Sequence, residues 1–193
     1  MPERGTTRGS HPSSDSGNKH DMNDMNDMSD MSDMNDRGQP GQPAPSRAAA
    51  DCVLCREDGG RVLWRDATLR VIDAGDTHYP GFTRVIWNSH AAEMSDLDGA
   101  AQQALMATVL TVERVQREVL RPDKVNLASL GNMVAHVHWH VIPRWRDDAH
   151  FPDAVWAAPR RQPLAPSAHA PAGEALQRYH QALVEALQAA ATR

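Results

Sequence analysis

Three histidines stand at alternate positions of one apolar segment, where the chain reads His136-Val-His138-Trp-His140-Val. In an extended strand successive side chains point to opposite faces, so the three imidazoles share one face and the apolar residues share the other. The apolar face is then the one that packs on a core. A buried histidine needs polar partners, so three of them in strict alternation indicate a chemical site rather than packing.

Strand spacing limits what the three imidazoles can do together. Neighbouring members lie roughly 6.6 Å apart and the outer two about 13 Å apart. A zinc ion with Zn–N distances of about 2.1 Å bridges two neighbours at most, so at least one histidine stays free of such a metal. Neutral imidazole is a competent nucleophile, and a pKa of about 6.5 keeps it largely neutral at pH 7. The three histidines could therefore carry out a two-step displacement at phosphorus, in which one attacks and a neighbouring one assists.

A second signal is the pair Cys52-Val-Leu-Cys55, whose spacing is open to three interpretations. It can be a redox pair, half of a zinc site, or two small buried residues. Redox pairs usually lie at a helix N-terminus in a βαβ context, and no such pattern surrounds this one. Zinc needs two further ligands, and the chain has ten histidines to supply them. Two cysteines so close together do not form a disulfide framework, which favours a reducing compartment.

The composition excludes several classes of protein. The 193 residues carry a formal net charge of −5, so a non-specific nucleic-acid binder with a basic stripe is not expected. The sequence has no apolar stretch of about 18 residues, which excludes a membrane span. The first residues, MPERGTTRGS, lack the apolar segment of a secretory signal. We therefore expect a cytoplasmic protein with neither a membrane nor a nucleic-acid polymer as its partner.

The chain divides into three parts. Residues 1–47 contain a period-three Met/Asp repeat between Gly-, Pro- and Ser-rich stretches. That period matches neither a strand nor a helix, so this part is predicted to be a disordered low-complexity tail, and we assign it no function. Residues 48–147 are predicted to form the folded domain that carries the histidines. Residues 148–193 are predicted to be a Pro-rich extension that ends in an amphipathic helix.

Periodicity also predicts the elements that position these residues. Strands are predicted over residues 61–64, 69–73, 83–87, 124–129 and 134–142. One long helix is predicted from an N-cap at Ser95 to the break at Pro122, and a last helix begins near Glu174. Strands, then a long helix, then strands again predict an α+β fold, with a mostly antiparallel sheet, one long helix and a C-terminal helix.

The histidine segment HVHWHVI, residues 136–142, resembles the HxHxHxx signature of the histidine triad (HIT) superfamily, nucleotide hydrolases and transferases that act at the α-phosphate. The Gly-Asn at 131–132 resembles the family's Gly-Gln, and the Pro-Arg at 143–144 resembles its common Pro-Arg. The cysteine pair at 52–55 resembles that of zinc-bearing members. Residues 80–90, PGFTRVIWNSH, resemble the family's strand that leads to a histidine.

This resemblance covers roughly residues 52–146 and implies a HIT-like catalytic domain with a role for each site residue. It implies that His138 is the nucleophile and that His140 hydrogen-bonds the phosphate. Asn132 is interpreted either as a substrate-binding hydrogen-bond donor or as an ordinary turn residue. The resemblance further implies a structural zinc ion and a homodimer whose sheets join edge to edge. The implied zinc ligands are Cys52, Cys55, His90 and His136.

Some positions depart from the family's pattern or leave their role open. Phe82 stands where many members have another histidine, and Met133 replaces a Ser or Thr thought to contact phosphate. His150 either covers the site or is a surface-loop histidine. Trp145 and Trp156 either border the pocket or serve packing.

The first hypothesis is a nucleotide phosphohydrolase, similar to diadenosine tetraphosphate hydrolases, that cleaves dinucleoside polyphosphates or nucleotidyl conjugates. The reaction would pass through a nucleotidyl-histidine at His138. A second hypothesis is a non-catalytic, zinc-stabilised nucleotide-binding module, which Met133 and Phe82 favour slightly. A third is a nucleotidyltransferase of the same superfamily, against which the short chain argues because it leaves little room for a second substrate site. The expected partners are a small-molecule nucleotide and a second copy of the chain.

Overall fold

Five short strands form one antiparallel sheet in a computed structural model that describes residues 47–162 and 164–192. The strands are β1 (Arg61–Arg65), β2 (Leu69–Asp73), β3 (Thr83–Trp87), β4 (Lys124–Ala128) and β5 (His138–Arg144). Their order in the sheet is β1-β2-β3-β5-β4, and each neighbouring pair is antiparallel. The predicted tail lies outside the described residues except for its last residue, so the division into three parts stays a prediction.

Helices accompany the sheet and complete the predicted fold class. They are α1 (Arg47–Asp51), α2 (Val53–Arg56), α3 (Gly99–Val115) and α4 (Gly173–Ala191). A 3-10 turn over Met94–Asp96 precedes α3, and a π-helical turn over Gln116–Leu120 follows it. The α+β prediction of an antiparallel sheet with one long helix and a C-terminal helix is confirmed. Among the described helices, none has the length and apolar character that spanning a membrane requires.

The long helix begins later than predicted. Its N-cap is Asp98, whose carboxylate accepts a hydrogen bond from the backbone N–H of Ala101. Ser95 lies instead in the preceding 3-10 turn. A reciprocal capping box between Glu93 and Asp96 closes that turn around it. The prediction of Ser95 as the N-cap was wrong because these two acids form a separate turn before α3 starts.

The larger core cluster lies between α3, α4 and one face of the sheet. Leu105 and Val112 of α3 are fully buried against Val85 of β3 and Val141 of β5. Strand alternation predicts this apolar back face for β5. Helices α3 and α4 therefore cover the face opposite to the one on which His138 and His140 lie. Leu54 of α2 packs instead against Ile86, on the same face as the histidines.

The C-terminal helix packs on its own domain. Tyr179 and Leu183 of α4 are fully buried in the same core, and α4 contacts both α3 and β1. The hydroxyl of Tyr179 lies 2.7 Å from Oγ1 of Thr83 in β3. The amphipathic period predicted this helix, and its packing shows which surface it covers.

The strand that carries the histidines begins at His138, not at the predicted Val134. Before it the chain bends: the N–H of His136 donates to the carbonyl of Val134, and the N–H of Val137 donates to the carbonyl of Ala91, each at 2.8 Å. The prediction that one strand presents all three imidazoles was therefore wrong for His136. His136 therefore lies before the strand, where its Nδ1 faces the cysteine pair, 3.4 Å from the Sγ of Cys52.

Candidate functional site

Two of the three histidines lie together on the face of the sheet opposite to α3 and α4, and both are buried. Register pairs His138 with Ile86 and His140 with Arg84 across β3 and β5, so these side chains share one face. The ring centroids of His138 and His140 are 4.8 Å apart. This is closer than the strand spacing alone gives, because the two rings lean toward each other edge to face.

A hydrogen bond to the backbone fixes the tautomer of His138. Its Nδ1 lies 2.6 Å from the carbonyl oxygen of His136. A carbonyl oxygen only accepts hydrogen bonds, so Nδ1 carries the proton and Nε2 holds the free lone pair of the neutral ring. Burial lowers the pKa of His138, outweighing the opposing effect of that hydrogen bond, and the nearby guanidinium of Arg84 lowers it further. A neutral imidazole with an available Nε2 is the form that acts as a nucleophile.

His140 is neutral for a similar reason. Burial, followed by the charges of His138 and Arg84, lowers the pKa of His140 to about 4. Its Nδ1 is buried and has no hydrogen-bond partner among the described residues. Phe82 and Trp156 contact the ring edge-on, with centroids 5.5 Å and 5.2 Å from that of His140. The ring is therefore held by packing while one polar atom stays without a partner.

A pocket of about 370 Å³ opens beside these two histidines. Asn132, Met133 and Trp156 border it, together with Arg84. It is lined by Val53, Leu54, Gly59, Arg84, Leu130, Gly131, Asn132, Met133, Val134, His138, His140 and Trp156. A larger cavity of about 570 Å³ runs along β4, but its lining contains no histidine or cysteine, so the smaller pocket is the candidate site.

Four potential metal ligands meet next to this pocket. Their ligand atoms all lie within 4.8 Å of one another. The Sγ of Cys52 is 3.4 Å from Nδ1 of His136, and the Sγ of Cys55 is 3.4 Å from Nδ1 of His90. Tetrahedral zinc with ordinary Zn–S and Zn–N bonds places such S and N atoms about 3.5 Å apart. The donor set and its spacing therefore fit a four-coordinate zinc ion.

The second nitrogen of His136 prepares it for a metal. Its Nε2 lies 2.7 Å from the carbonyl oxygen of Trp87, to which it donates a hydrogen bond. The proton therefore lies on Nε2, and Nδ1 presents its lone pair to the two sulfurs. Burial lowers the pKa of His136, which also favours the neutral, ligating form.

A buried arginine holds the cysteine segment against the sheet. Arg70 of β2 donates to the carbonyls of Leu54 and Asp58 at 2.6 Å and 3.1 Å, and to Oδ1 of Asn88 at 3.1 Å. The short helix α2 leaves carbonyl groups unpaired at its C-terminus, and the guanidinium satisfies one of them. The arginine thus positions the cysteines through their backbone.

The structure places the other sequence candidates as follows. Asn132 is exposed at the pocket rim, and Met133 beside it is 96% exposed. Trp156 borders the pocket, whereas Trp145 is buried. The surface-loop interpretation of His150 was wrong: it is buried, with Nδ1 2.5 Å from the hydroxyl of Tyr79. It is absent from the pocket lining, so it does not cover the site either.

Sequence reasoning missed Arg84 as a site residue. The burial of Thr83 and Val85 in the core directs Arg84 to the opposite face, directly across from His140. Burial lowers the pKa of this guanidinium, while the charge of Asp76 raises it. The available signal was a cation in the middle of an otherwise uncharged strand, at a position whose neighbours face inward.

Comparisons with known proteins bear on the fold and the site. The HIT domain family model matches residues 56–147. The AP-4-A phosphorylase of Mycobacterium tuberculosis is 26% identical over 114 residues, which are 56% of this chain and 58% of that relative. The chain thus matches less than two thirds of that relative's length.

Two solved structures of histidine triad proteins are similar to this chain. The crystal structure of a histidine triad protein from Bradyrhizobium japonicum is 31% identical, with a TM-score of 0.54 over 66% of this chain and 90% of that one. A zinc-bound histidine triad family protein from Mycobacterium smegmatis shares the fold at 23% identity, with a TM-score of 0.50 over 74% of this chain and 99% of that one.

Proposed function

The chain belongs to the HIT domain family, and on that premise we propose that it is a nucleotide phosphohydrolase. Its substrates would be dinucleoside polyphosphates or nucleotidyl conjugates, cleaved at the α-phosphate. The single observation that carries the proposal is the hydrogen bond from Nδ1 of His138 to the carbonyl of His136. It leaves Nε2 as the unprotonated nitrogen of a neutral ring that lines a pocket.

The reaction proceeds in two displacements at phosphorus. The Nε2 lone pair of His138 attacks the α-phosphorus, and the bond from phosphorus to the leaving group breaks, which gives a nucleotidyl-histidine. His140 hydrogen-bonds the phosphoryl oxygens from the lining of the same pocket. Water then attacks the same phosphorus, releases the nucleoside monophosphate and a proton, and restores the neutral imidazole.

A structural zinc ion would fix this arrangement without taking part in the displacement. Cys52, Cys55, His90 and His136 would hold it. Four protein ligands make a closed site, which supplies rigidity rather than an activated water. Because the carbonyl of His136 orients His138, a metal that fixes His136 also fixes the nucleophile's tautomer.

Transfer to an acceptor other than water is the second candidate function. It is favoured by the relative named AP-4-A phosphorylase, because a phosphorylase uses inorganic phosphate as the acceptor. Product analysis separates the two activities. Both release the leaving group, but hydrolysis turns the transferred nucleotidyl group into a nucleoside monophosphate, whereas phosphorolysis turns it into a nucleoside diphosphate that contains the added phosphate.

The experiment that tests the proposed function is a panel of dinucleoside polyphosphates and nucleotidyl conjugates with product identification. We expect His138→Ala to lower turnover by more than about 1,000-fold and to abolish the covalent nucleotidyl adduct, since the nucleophile is removed. The matched control is His180→Ala, which removes an equally buried histidine outside the pocket lining. A His138→Ala protein as active as the wild type would contradict the proposal. Tight nucleotide binding without turnover by the wild type would favour the non-catalytic module.

We also propose a cytoplasmic homodimer. Cys52 and Cys55 form no disulfide within the described residues, which fits a reducing compartment. Within the described residues β4 pairs only with β5, so its outer edge is unpaired, and Leu127 and Leu130 are exposed beside it. A second copy can extend the sheet there. A monomer in sedimentation velocity at micromolar concentration would contradict the dimer.

A further inference from the structure

The arginine that faces His140 has an unusual set of contacts. Arg84 lies directly opposite His140 in the register of β3 and β5 and borders the same pocket. Its guanidinium carbon lies 5.4 Å from the centroid of Phe82, a cation–π distance. Its one hydrogen bond among the described residues is long, 3.4 Å from Nη1 to the carbonyl of Gly59. The side chain is thus held by stacking and leaves most of its donors unused.

Arg84 is half-buried, whereas Arg70 and Arg144 are buried and have acceptors for their donors. Arg70 donates to backbone carbonyls and to Asn88. Arg144 pairs with Asp148 at 2.7 Å and donates to Asn126 at 2.6 Å. Arg84, in contrast, makes no ion pair within the described residues, and its Nε is buried without a partner. A buried cationic donor without an acceptor costs free energy, so its retention points to an acceptor that arrives with a ligand.

The distribution of unpartnered atoms points to the same pocket. Three buried side-chain polar atoms have no hydrogen-bond partner in the part of the chain that is described: Nε of Arg84, Nδ1 of His140 and Oε1 of Gln116. The first two belong to cross-strand neighbours that line the pocket. A phosphoryl group in this pocket would lie beside both side chains and could accept hydrogen bonds from both, because it has more than one acceptor oxygen.

We propose that Arg84 is a catalytic residue that binds the phosphoryl oxygens of the nucleotide, with Phe82 as the surface on which its guanidinium stacks. The inference rests on the proposed function, since it assumes a nucleotide in this pocket. It also gives Phe82 a role: in place of a hydrogen-bonding histidine, this chain has an aromatic ring that orients a cation. The guanidinium supplies the phosphate contact that the exposed Met133 cannot make, since a thioether has no hydroxyl.

The test compares nucleotide with nucleoside binding by calorimetry, so that the phosphate contact is isolated. The probes are AMP and GMP, each beside its nucleoside. We expect Arg84→Met to weaken nucleoside monophosphate binding about 10- to 100-fold and to change nucleoside binding less than about twofold. Arg84→Gln keeps a donor for Gly59 but loses the charge, and it serves if the methionine variant does not fold. The control, Arg117→Met, removes an exposed arginine outside the pocket lining and should leave both affinities unchanged.

The outcomes separate this inference from the proposed function. Unchanged monophosphate binding in folded Arg84→Met or Arg84→Gln overturns the role of Arg84, while turnover by the wild type still supports the hydrolase. Wild-type protein that binds monophosphates through Arg84 without cleaving any substrate supports the inference and contradicts the hydrolase. Wild-type protein that binds no nucleotide overturns both.

Discussion

At the scale of single residues, the site depends on imidazoles that stay neutral in the presence of a cation. His138 and His140 are both buried, and the guanidinium of Arg84 lies on the same strand face. Burial removes water from each ring, and the neighbouring positive charge opposes a second one. In the proposed reaction, the cation that would bind phosphate would therefore also keep the attacking lone pair available.

The low pKa of His140 predicts a measurable loss of stability in acid. Its pKa is about 4 in the folded protein, against an ordinary value of about 6.5 in the unfolded chain. Between these two values the unfolded chain binds a proton that the folded protein does not. The contribution of His140 to the unfolding free energy is thus fully present above pH 6.5 and is lost as the pH falls toward 4. At pH 5 the unfolded chain binds roughly 0.9 more proton at His140 than the folded protein does. We therefore expect His140→Gln to reduce the slope of the unfolding free energy against pH by that number of protons.

Urea unfolding at pH 7.5, 6 and 5 measures this difference between wild type and variant. Val141→Ala is the control, because it removes buried methyl groups next to His140 without removing a titratable group. For this control, the unfolding free energy plotted against pH should be lower than that of the wild type at every pH but have the same slope. If the His140→Gln curve is also parallel, the pKa of this histidine is not depressed.

At the scale of elements, the segment after β5 builds one wall of the pocket. Arg144 at the end of β5 and Asp148 form an ion pair whose side chains are 1% and 2% exposed. Oδ1 of Asp148 also accepts the backbone N–H groups of His150 and Phe151, at 2.9 Å and 2.8 Å. This buried pair ties the irregular segment to the sheet, and the same segment carries Trp156 to the edge of His140.

Breaking that pair should unfold this segment and weaken the pocket. Asp148→Asn leaves the buried guanidinium of Arg144 without its counter-charge, so we expect a loss of about 3–5 kcal/mol in the unfolding free energy. KM should also rise, because Trp156 loses its support. Denaturant unfolding and steady-state kinetics measure the two effects.

An exposed ion pair in the same segment provides the control. Asp153→Asn breaks the contact of Asp153 with Arg160, where both side chains are solvent-exposed. We expect little change in stability from this variant, since exposed pairs contribute little. Equal effects of Asp148→Asn and Asp153→Asn would contradict the anchoring role.

At the scale of the whole molecule, the four potential metal ligands come from three distant parts of the chain. The cysteines precede β1, His90 follows β3, and His136 precedes β5. A metal there closes two long loops and fixes the bend that separates His136 from the strand. Because binding to the folded state stabilises it, metal content and stability should change together.

We predict about one zinc ion per chain in purified protein. Cys52→Ser or a chelator should remove it and lower the melting temperature by about 10 °C. Metal analysis by mass spectrometry and thermal unfolding measure these effects. His78→Ala, which changes an exposed histidine outside the cluster, should retain both the metal and the melting temperature. Native wild-type protein without metal would contradict the prediction.

Residue alternation predicted much of this fold. Apolar periods indicated the five strands, α3 and α4, because burial of one face imposes a period of 2 on strands and 3.6 on helices. The motif resemblance identified Asn132, His138 and His140, which line the pocket, and the four residues that meet as potential metal ligands. The predictions for Ser95 and for the start of β5 were wrong, because local turns and hydrogen bonds, rather than periodicity, set the ends of elements.

What the sequence determined by itself is which residues could do chemistry, since that depends on side-chain type and spacing. Tertiary structure decided which neighbours each histidine has. His136 lies against the cysteines, while His138 and His140 lie on the strand with Arg84 opposite His140. No local pattern encodes these pairings. They arise from contacts between segments far apart in the chain, and burial at those contacts sets the tautomer and pKa on which the proposed reaction depends.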